Sequence, residues 1–297
     1  MIRTQGCDLV ALVAGDSVSS MTTEEFLRRA DAGCADPSGA LASPVIPNGY
    51  DRVARWQIQN KTVTREQLAM VPVLMSHQAS RHPAALNRRP YSLEEVLSSR
   101  PIAPATNLLE TARRADGAAC VIVASSRFME TNGIGKGRAP AILGGGEASG
   151  PLFPPRLIDE EMFSCEVAVE RAYDHAALTV EDIDYFGLYD CFPICFVRSL
   201  EAVGLAPRGG GGQYVERAYR KLLAHGSLDP TDFPVNTHGG LLSFGAPWEA
   251  PALFSVLEAV DQLNGDAATR QVPNARRALV YGNGGIFSAS AVALLSK

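Results

Sequence analysis

Three short stretches hold the side chains of this sequence best suited to chemistry: Tyr189-Asp190-Cys191-Phe192, Asn236-Thr237-His238-Gly239-Gly240 and Tyr281-Gly282-Asn283-Gly284-Gly285. Tyrosine, histidine and aspartate can take, give or relay a proton, and paired glycines lacking a Cβ let backbone N–H groups close on an oxyanion or thioester oxygen. Tyr189, His238, Tyr281 and Asp190 are therefore the candidate catalytic residues. Asn236, Gly239, Gly240, Gly284 and Gly285 are the candidate substrate contacts. Each has an ordinary alternative: a tyrosine at a strand end packs its ring and bonds its hydroxyl locally, and Asp190 caps the helix that follows it. His77, His82, His175 and His225 fall in helical or turn contexts with no partner legible in the sequence, and are read as solvated or satisfied.

The elements around these stretches must alternate. IDYFGLY reads as a buried strand ending at the first stretch, followed by a helix over PICFVRSLEAVGL with Pro193 in its first turn and Gly204 at its end. ALVYGNGG and FSASAVALL read as two closing strands, and Pro247 to Leu263 as a helix. APAILGGGEA reads as a strand entering a glycine-rich turn, Glu161 to Ala177 as an amphipathic helix, and Thr179 as the cap of a short turn. Loops at strand ends of such α/β layers are where ligands tend to bind.

Upstream, DLVALVAG at 8–15 is an apolar run that predicts a strand buried on both faces, and AACVIVASS at 118–126 predicts a second. Between them DPSGALASPVIPNG reads as a loop. Thr64 with Gln67, and Ser92 with Glu95, are capping-box patterns that start two helices. The chain thus divides at 1–138, with a helical insertion, and 139–297. The four glycines at 209–212 lack the lysine and hydroxyl of a phosphate loop and read as a flexible surface loop.

Composition narrows the partners. The 297 residues are 46% hydrophobic and carry a formal net charge of −5, which gives no footprint for nucleic acid, and no window approaches the roughly 20 apolar residues of a membrane span. Six scattered cysteines fit a reducing, cytoplasmic compartment. Cys191 and Cys195 have no second pair nearby to complete a metal site, so no metal is expected.

In order and spacing, LYDCFPICFVRSLEAVGL, FPVNTHGGLLSFGAPWEAPALFSVLEAVDQLNG and ALVYGNGGIFSASAVALL resemble the sterol-carrier and lipid-transfer-protein branch of the thiolase superfamily. GCDLVALVAGDSVSSM, TREQLA and RRADGAACVIVAS are similar to the rest of its N-terminal half. The resemblance implies an α/β thiolase-like fold of two related halves with layered sheets and helices. By that resemblance the N-terminal half is expected to be incomplete in this sequence, because the nucleophile-bearing helix of the family precedes the strand at 8–15. Cys7 lies too near that strand to replace the nucleophile and reads as a small buried hydrophobe. With the first strands of that half lacking, exposed apolar surface is expected around 8–15 and 118–126.

The family's other signatures are altered. Its Gly-His-Pro corresponds to Gly245-Ala246-Pro247, its acid/base cysteine to Tyr281, and the histidine of His-Asp-Cys-Phe to Tyr189. These changes point away from covalent thiolysis and towards the aldolases of the superfamily, which cleave a β-hydroxyacyl-CoA without a cysteine nucleophile. Tyr189 or Tyr281 would then move the proton, while His238 and N–H groups near Gly239 hold the enolate oxygen. Two alternatives stay open: a thiolase whose cysteine lies in a missing segment, and a non-catalytic lipid- or acyl-CoA-binding subunit. The resemblance also implies coenzyme A as part of the substrate with no bound cofactor, a homo-oligomer, and a partner built from a zinc ribbon and an OB fold. Arg88, Arg89, Arg113 and Arg114 are candidate contacts for the CoA phosphates, or a solvated basic face. Trp248 and Glu249 either close the pocket or pack a neighbouring subunit.

Overall fold

The computed structural model describes residues 2, 6–34, 41–135, 137, 139–248 and 250–297. A ribbon of β1 (Leu9–Ser17) and β4 (Asp116–Ala124) encloses a helical excursion. The excursion contains α1 (Thr23–Gly33), α2 (Val45–Gln59), α3 (Arg65–Ala79), α4 (Leu93–Ser98) and the small hairpin of β2 (Pro101–Ala103) and β3 (Thr106–Asn107). After it come α5 (Ser126–Thr131), β5 (Ala141–Ser149), α6 (Cys165–Ala176), β6 (Tyr185–Leu188) and α7 (Pro193–Ala202). The chain closes with α8 (Gly211–His225), α9 (Gly240–Ser243), α10 (Pro251–Asn264), β7 (Arg277–Gly284) and β8 (Ala289–Ser296).

The main sheet has the order β5-β8-β7-β6, antiparallel except for the β6–β7 pair. Because side chains alternate along a strand, it buries both faces. Tyr185, Ala278, Val280 and Leu295 pack with Ala259 and Leu263 of α10. Phe186, Leu188, Leu279, Tyr281 and Leu294 belong to the larger core shared with α3, α6 and α7. All four residues of β6 are consequently buried, as its sequence predicts.

Both capping boxes form, at Thr64 with Gln67 and at Ser92 with Glu95, and Thr179 forms a third with Asp182. The Thr64 and Ser92 boxes each satisfy two N–H groups that would otherwise lack an intrahelical partner, while at Thr179 the Asp182 carboxylate accepts from the Thr179 N–H at 3.0 Å.

Several local expectations are corrected. β1 and β4 are strands but not buried: Leu9, Leu12, Val13 and Ile122 are 48, 53, 67 and 64% exposed, since each strand pairs only with the other. The apolar surface expected there is present. The predicted loop at 36–49 gives way at Val45 to α2, whose first turn accommodates Pro47 because the N–H it lacks would have no partner; residues 36–40 lie outside the described residues.

Gly144–Gly146 lie within β5 rather than in a turn, for a steric reason: α6 crosses so closely that a Cβ on Gly146 would fall 2.1 Å from the Ala168 carbonyl. At 209–212 only the first two glycines precede the helix. Gly211 and Gly212 form the buried first turn of α8, where a Cβ on Gly212 would meet Gln67 Oε1 at 2.3 Å. The helices expected from Glu161 and Pro247 start four residues later, at Cys165 and Pro251.

Candidate functional site

The three predicted stretches converge at one end of the main sheet. Leu188 of β6 pairs with Tyr281 of β7, so the tyrosine-bearing stretches sit on neighbouring strands. The third is strapped alongside: Phe186 N–H donates to Pro234 O at 2.9 Å and Asn236 N–H donates to Phe186 O at 3.0 Å. The Asn236 side chain extends this strap, its Oδ1 accepting from Leu188 N–H and its Nδ2 donating to Leu188 O, both at 2.7 Å. Both ends of that amide are thereby spent on the residue before Tyr189, which makes Asn236 a clamp on the strand end.

Asp190 ties the same two segments together. Fully buried, it accepts from Leu241 N–H at 2.7 Å and Leu242 N–H at 3.5 Å. It therefore caps α9 and not the helix that follows it in sequence. Gly240 must be glycine beneath it, because at φ +59° a Cβ would fall 2.0 Å from Asp190 Oδ2. Burial lifts the Asp190 carboxyl to about 7, against the pull of the Leu241 and Leu242 amides.

His238 is 2% exposed, faces the Phe244 ring at 5.4 Å, and its Nδ1 has no hydrogen-bond partner among the described residues. Burial lowers it to about 4, with Glu258 working in the opposite direction. It is thus a neutral imidazole near pH 7. A histidine kept neutral by the fold is protonated more readily in the unfolded chain, so it makes stability fall as pH drops from about 6.5 towards 4. His238→Gln is expected to flatten that limb; urea titrations at pH 7 and pH 5 check it, and an unchanged pH dependence refutes it.

Behind His238 lies a buried polar network. Thr237 Oγ1 donates to Glu258 Oε1 at 2.6 Å, and Arg270 grips Glu258 through Nε at 3.0 Å and a terminal nitrogen at 2.9 Å. Gln262 Nε2 donates to Thr237 Oγ1 at 2.9 Å and to Arg270 O at 2.8 Å.

A cleft of about 620 Å³ opens beside these strand ends. Its walls are Glu147–Ser149 of β5, Arg171 of α6, Tyr189, Ala252 of α10, Gly282–Gly284 of β7 and Ala289–Ala291 of β8. Of the predicted residues, Tyr189 and Gly284 line it. Asp190, Asn236, His238, Gly240 and Tyr281 are buried, and Gly239 and Gly285 are likewise not among the lining residues. Tyr281 reaches the cleft through Ser290, a lining residue whose Oγ lies 3.1 Å from the Tyr281 hydroxyl and 2.9 Å from Ser164 Oγ. Burial raises the Tyr281 hydroxyl well above its ordinary value, so it stays protonated. A second hollow of about 360 Å³, beside Lys221 and Asp232, shares no residue with the three stretches.

Ser290, Arg171 and Tyr50 were missed by sequence reasoning. Ser290 had one usable signal, a hydroxyl inside the apolar alternation of a closing strand. Tyr50 had none, since its contacts with Asn283 and Gly285 join segments far apart in sequence. The four arginines expected at CoA are dispersed. Arg89 pairs with Glu95 at 2.7 Å, Arg113 donates to the Tyr91 hydroxyl at 3.3 Å, Arg114 lies over the Phe26 ring at 4.8 Å, and Arg88 is exposed. None lines the cleft. Trp248 packs edge-on against Phe26 at 4.9 Å, and Glu249 lies outside the described residues. Ala246 N–H donates to Arg113 O at 2.8 Å, so the altered Gly-His-Pro position ties down backbone. Cys7 is half-buried, and none of the six cysteines is joined in a disulfide among the described residues. Among the described residues no group of His, Cys, Asp or Glu could hold a metal, and no helix is long and apolar enough to cross a membrane.

Residues 158–297 match the family model for the thiolase C-terminal domain-like region. An acetyl-CoA acetyltransferase of Methanothermobacter thermautotrophicus is 31% identical over 278 residues, spanning 88% of this chain and 69% of the relative. The chain belongs to the thiolase superfamily. Within it, the sterol-carrier-protein thiolase-like branch is supported: rabbit (Oryctolagus cuniculus) sterol carrier protein 2 is 31% identical over 262 residues, 86% of this chain. The thiolase-like chain spans 46% of that relative, less than half its length. The solved Ltp2–ChsH2(DUF35) aldolase has the same fold, with a TM-score of 0.78 at 22% identity over 99% of this chain and 74% of the other. The α/β thiolase-like architecture expected from the sequence is thereby established.

Proposed function

We propose that this thiolase-superfamily chain acts on a C–C bond of a lipid or steroid CoA thioester, by retro-aldol cleavage of a β-hydroxyacyl-CoA. The observation that carries the reading is Tyr189 in the wall of the cleft, at the position where the family's histidine would stand, beside backbone supplied by Gly282–Gly284 on the neighbouring strand. In the reaction the β-hydroxyl gives up its proton, the Cα–Cβ bond breaks, and its electron pair passes into the thioester as an enolate. A carbonyl compound leaves, and protonation at Cα yields the shortened acyl-CoA. Tyr189, acting as its phenolate, is the group placed to accept the hydroxyl proton and then, as the phenol, to return it to Cα of the enolate. Tyr281, held protonated, supplies its hydrogen-bonding power to the cleft through Ser290. His238, neutral and buried, and Gly239, whose N–H donates to Asn236 O at 2.8 Å, brace the turn behind the cleft.

The likeness to an aldolase solved together with ChsH2(DUF35) favours a second protein as partner, of the zinc-ribbon and OB-fold kind expected from the sequence; self-association and a cytoplasmic setting rest on the family resemblance and the scattered cysteines alone. A second reading, acetyl-CoA acyltransferase chemistry with a cysteine supplied by another segment, is favoured by the acetyltransferase relative. Mass spectrometry of products from a panel of β-hydroxyacyl- and β-ketoacyl-CoA thioesters separates the readings. Cleavage of the β-hydroxyacyl series without added CoA supports the aldolase. Turnover confined to β-ketoacyl-CoA plus free CoA supports the transferase, and turnover of neither supports a binding subunit.

A further inference from the structure

Tyr50, on α2 in the helical layer, is 3% exposed. Its ring stacks on Phe192 with centroids 4.6 Å apart and meets Phe287 edge-on at 5.1 Å. Its hydroxyl donates to Gly285 O at 2.7 Å, and Asn283 Nδ2 donates to that hydroxyl at 2.9 Å. Chemistry fixes the polarity. A carbonyl only accepts, so the single phenolic proton goes to Gly285 and a lone pair is left for the Asn283 amide. Asn283 Nδ2 also reaches Gly285 O at 3.3 Å, an approach that two oxygens would resist, so the amide cannot be turned over. Its Oδ1 accepts nothing among the described residues. Asn283 is among the residues lining the cleft, and its side chain is thus held by its nitrogen end alone.

One ring and one hydroxyl therefore touch both tyrosine-bearing stretches: Phe192 closes the turn that starts at Tyr189, and Asn283 and Gly285 follow Tyr281. The preceding residue reinforces the contact, since a Cβ on Gly49 would fall 2.6 Å from Ile286 Cδ1. α2 is docked on the 283–287 turn through two consecutive residues.

We infer that Tyr50 is a positioning residue, setting the orientation of Asn283 through its hydroxyl and the register of the Tyr189 turn through its ring. Its consequence for turnover rests on the retro-aldol reading; its effect on the two turns does not. Tyr50→Phe keeps the ring and removes both hydroxyl bonds, whereas Tyr50→Leu removes the stack as well. In the Phe variant kcat for β-hydroxyacyl-CoA cleavage is expected to fall roughly tenfold, the size of effect that misplacing a cleft group produces, with the Kd of the thioester within about threefold. The double variant Tyr50→Phe with Asn283→Ala should lose no more than Asn283→Ala alone, because both changes remove one path. Amide hydrogen exchange gives the arm independent of activity: faster exchange at 282–288 only in Tyr50→Phe, and at both 282–288 and 185–192 in Tyr50→Leu. Unchanged exchange at 282–288 in Tyr50→Phe, or additive losses in the double variant, overturns the inference. If the parent cleaves no β-hydroxyacyl-CoA the retro-aldol reading falls, and the exchange pattern alone then decides the role of Tyr50.

Discussion

On the proposed retro-aldol reading, Tyr189→Phe is expected to abolish most C–C cleavage while leaving thioester binding nearly intact. The substitution removes a single oxygen and keeps the ring, which packs against the larger core. Loss of a positioned proton acceptor costs about 10²- to 10⁴-fold in rate, so kcat/KM for a β-hydroxyacyl-CoA should fall by that order while the Kd moves less than about threefold. Steady-state kinetics beside a titration with unreactive acyl-CoA measures both. A Phe variant with parental kcat rules Tyr189 out as the proton acceptor. A fall in affinity equal to the fall in rate would instead make its hydroxyl a binding group.

The second large effect falls on stability. Glu258 and Arg270 are 3 and 5% exposed and joined by two hydrogen bonds, with Thr237 and Gln262 completing the set. Removing one member of a buried pair strands the other charge, so Glu258→Ala should destabilise the fold by about 3–5 kcal/mol. Replacing both by methionine should recover much of that loss, because no charge is then left unmatched. Urea unfolding of the parent and the two variants checks the pattern. A double variant less stable than Glu258→Ala would show that the pair contributes net stability of its own. The arrangement bears on the site because Thr237 precedes His238, so the pair fixes the backbone from which the imidazole projects.

Much of this was legible in the sequence because it is local. Capping boxes need residues three apart, and the paired glycines and strand-end tyrosines are contiguous. Their convergence followed from an alternation of strands and helices that brings strand ends together. Burial was less legible. LVALVAGDS is as apolar as a core strand, but burial is a property of neighbours, and β1 has only β4. Gly144–Gly146 read as a turn because nothing in APAILGGGEA reveals that α6 will cross it closely. Asp190 was seen as a helix cap but assigned to the wrong helix, since α9 lies fifty residues downstream and meets it only in the folded chain.

The close crossing of α6 over β5 also makes the two sides of the cleft unequal. Along Glu147–Ser149 the backbone has no room to yield, as the helix is already in contact with the glycines beside it. Across the opening, a Cβ added to Gly282 would meet only Ala252 Cβ at 3.7 Å and Ala291 O at 3.8 Å, ordinary contact distances. If the cleft takes the acyl group as proposed, tolerance for groups of different breadth is adjustable from one side. Gly282→Ala or Ala252→Val should trim the widest substrates while the fold stays as stable as before, giving laboratory selection and natural drift alike a place to retune substrate size.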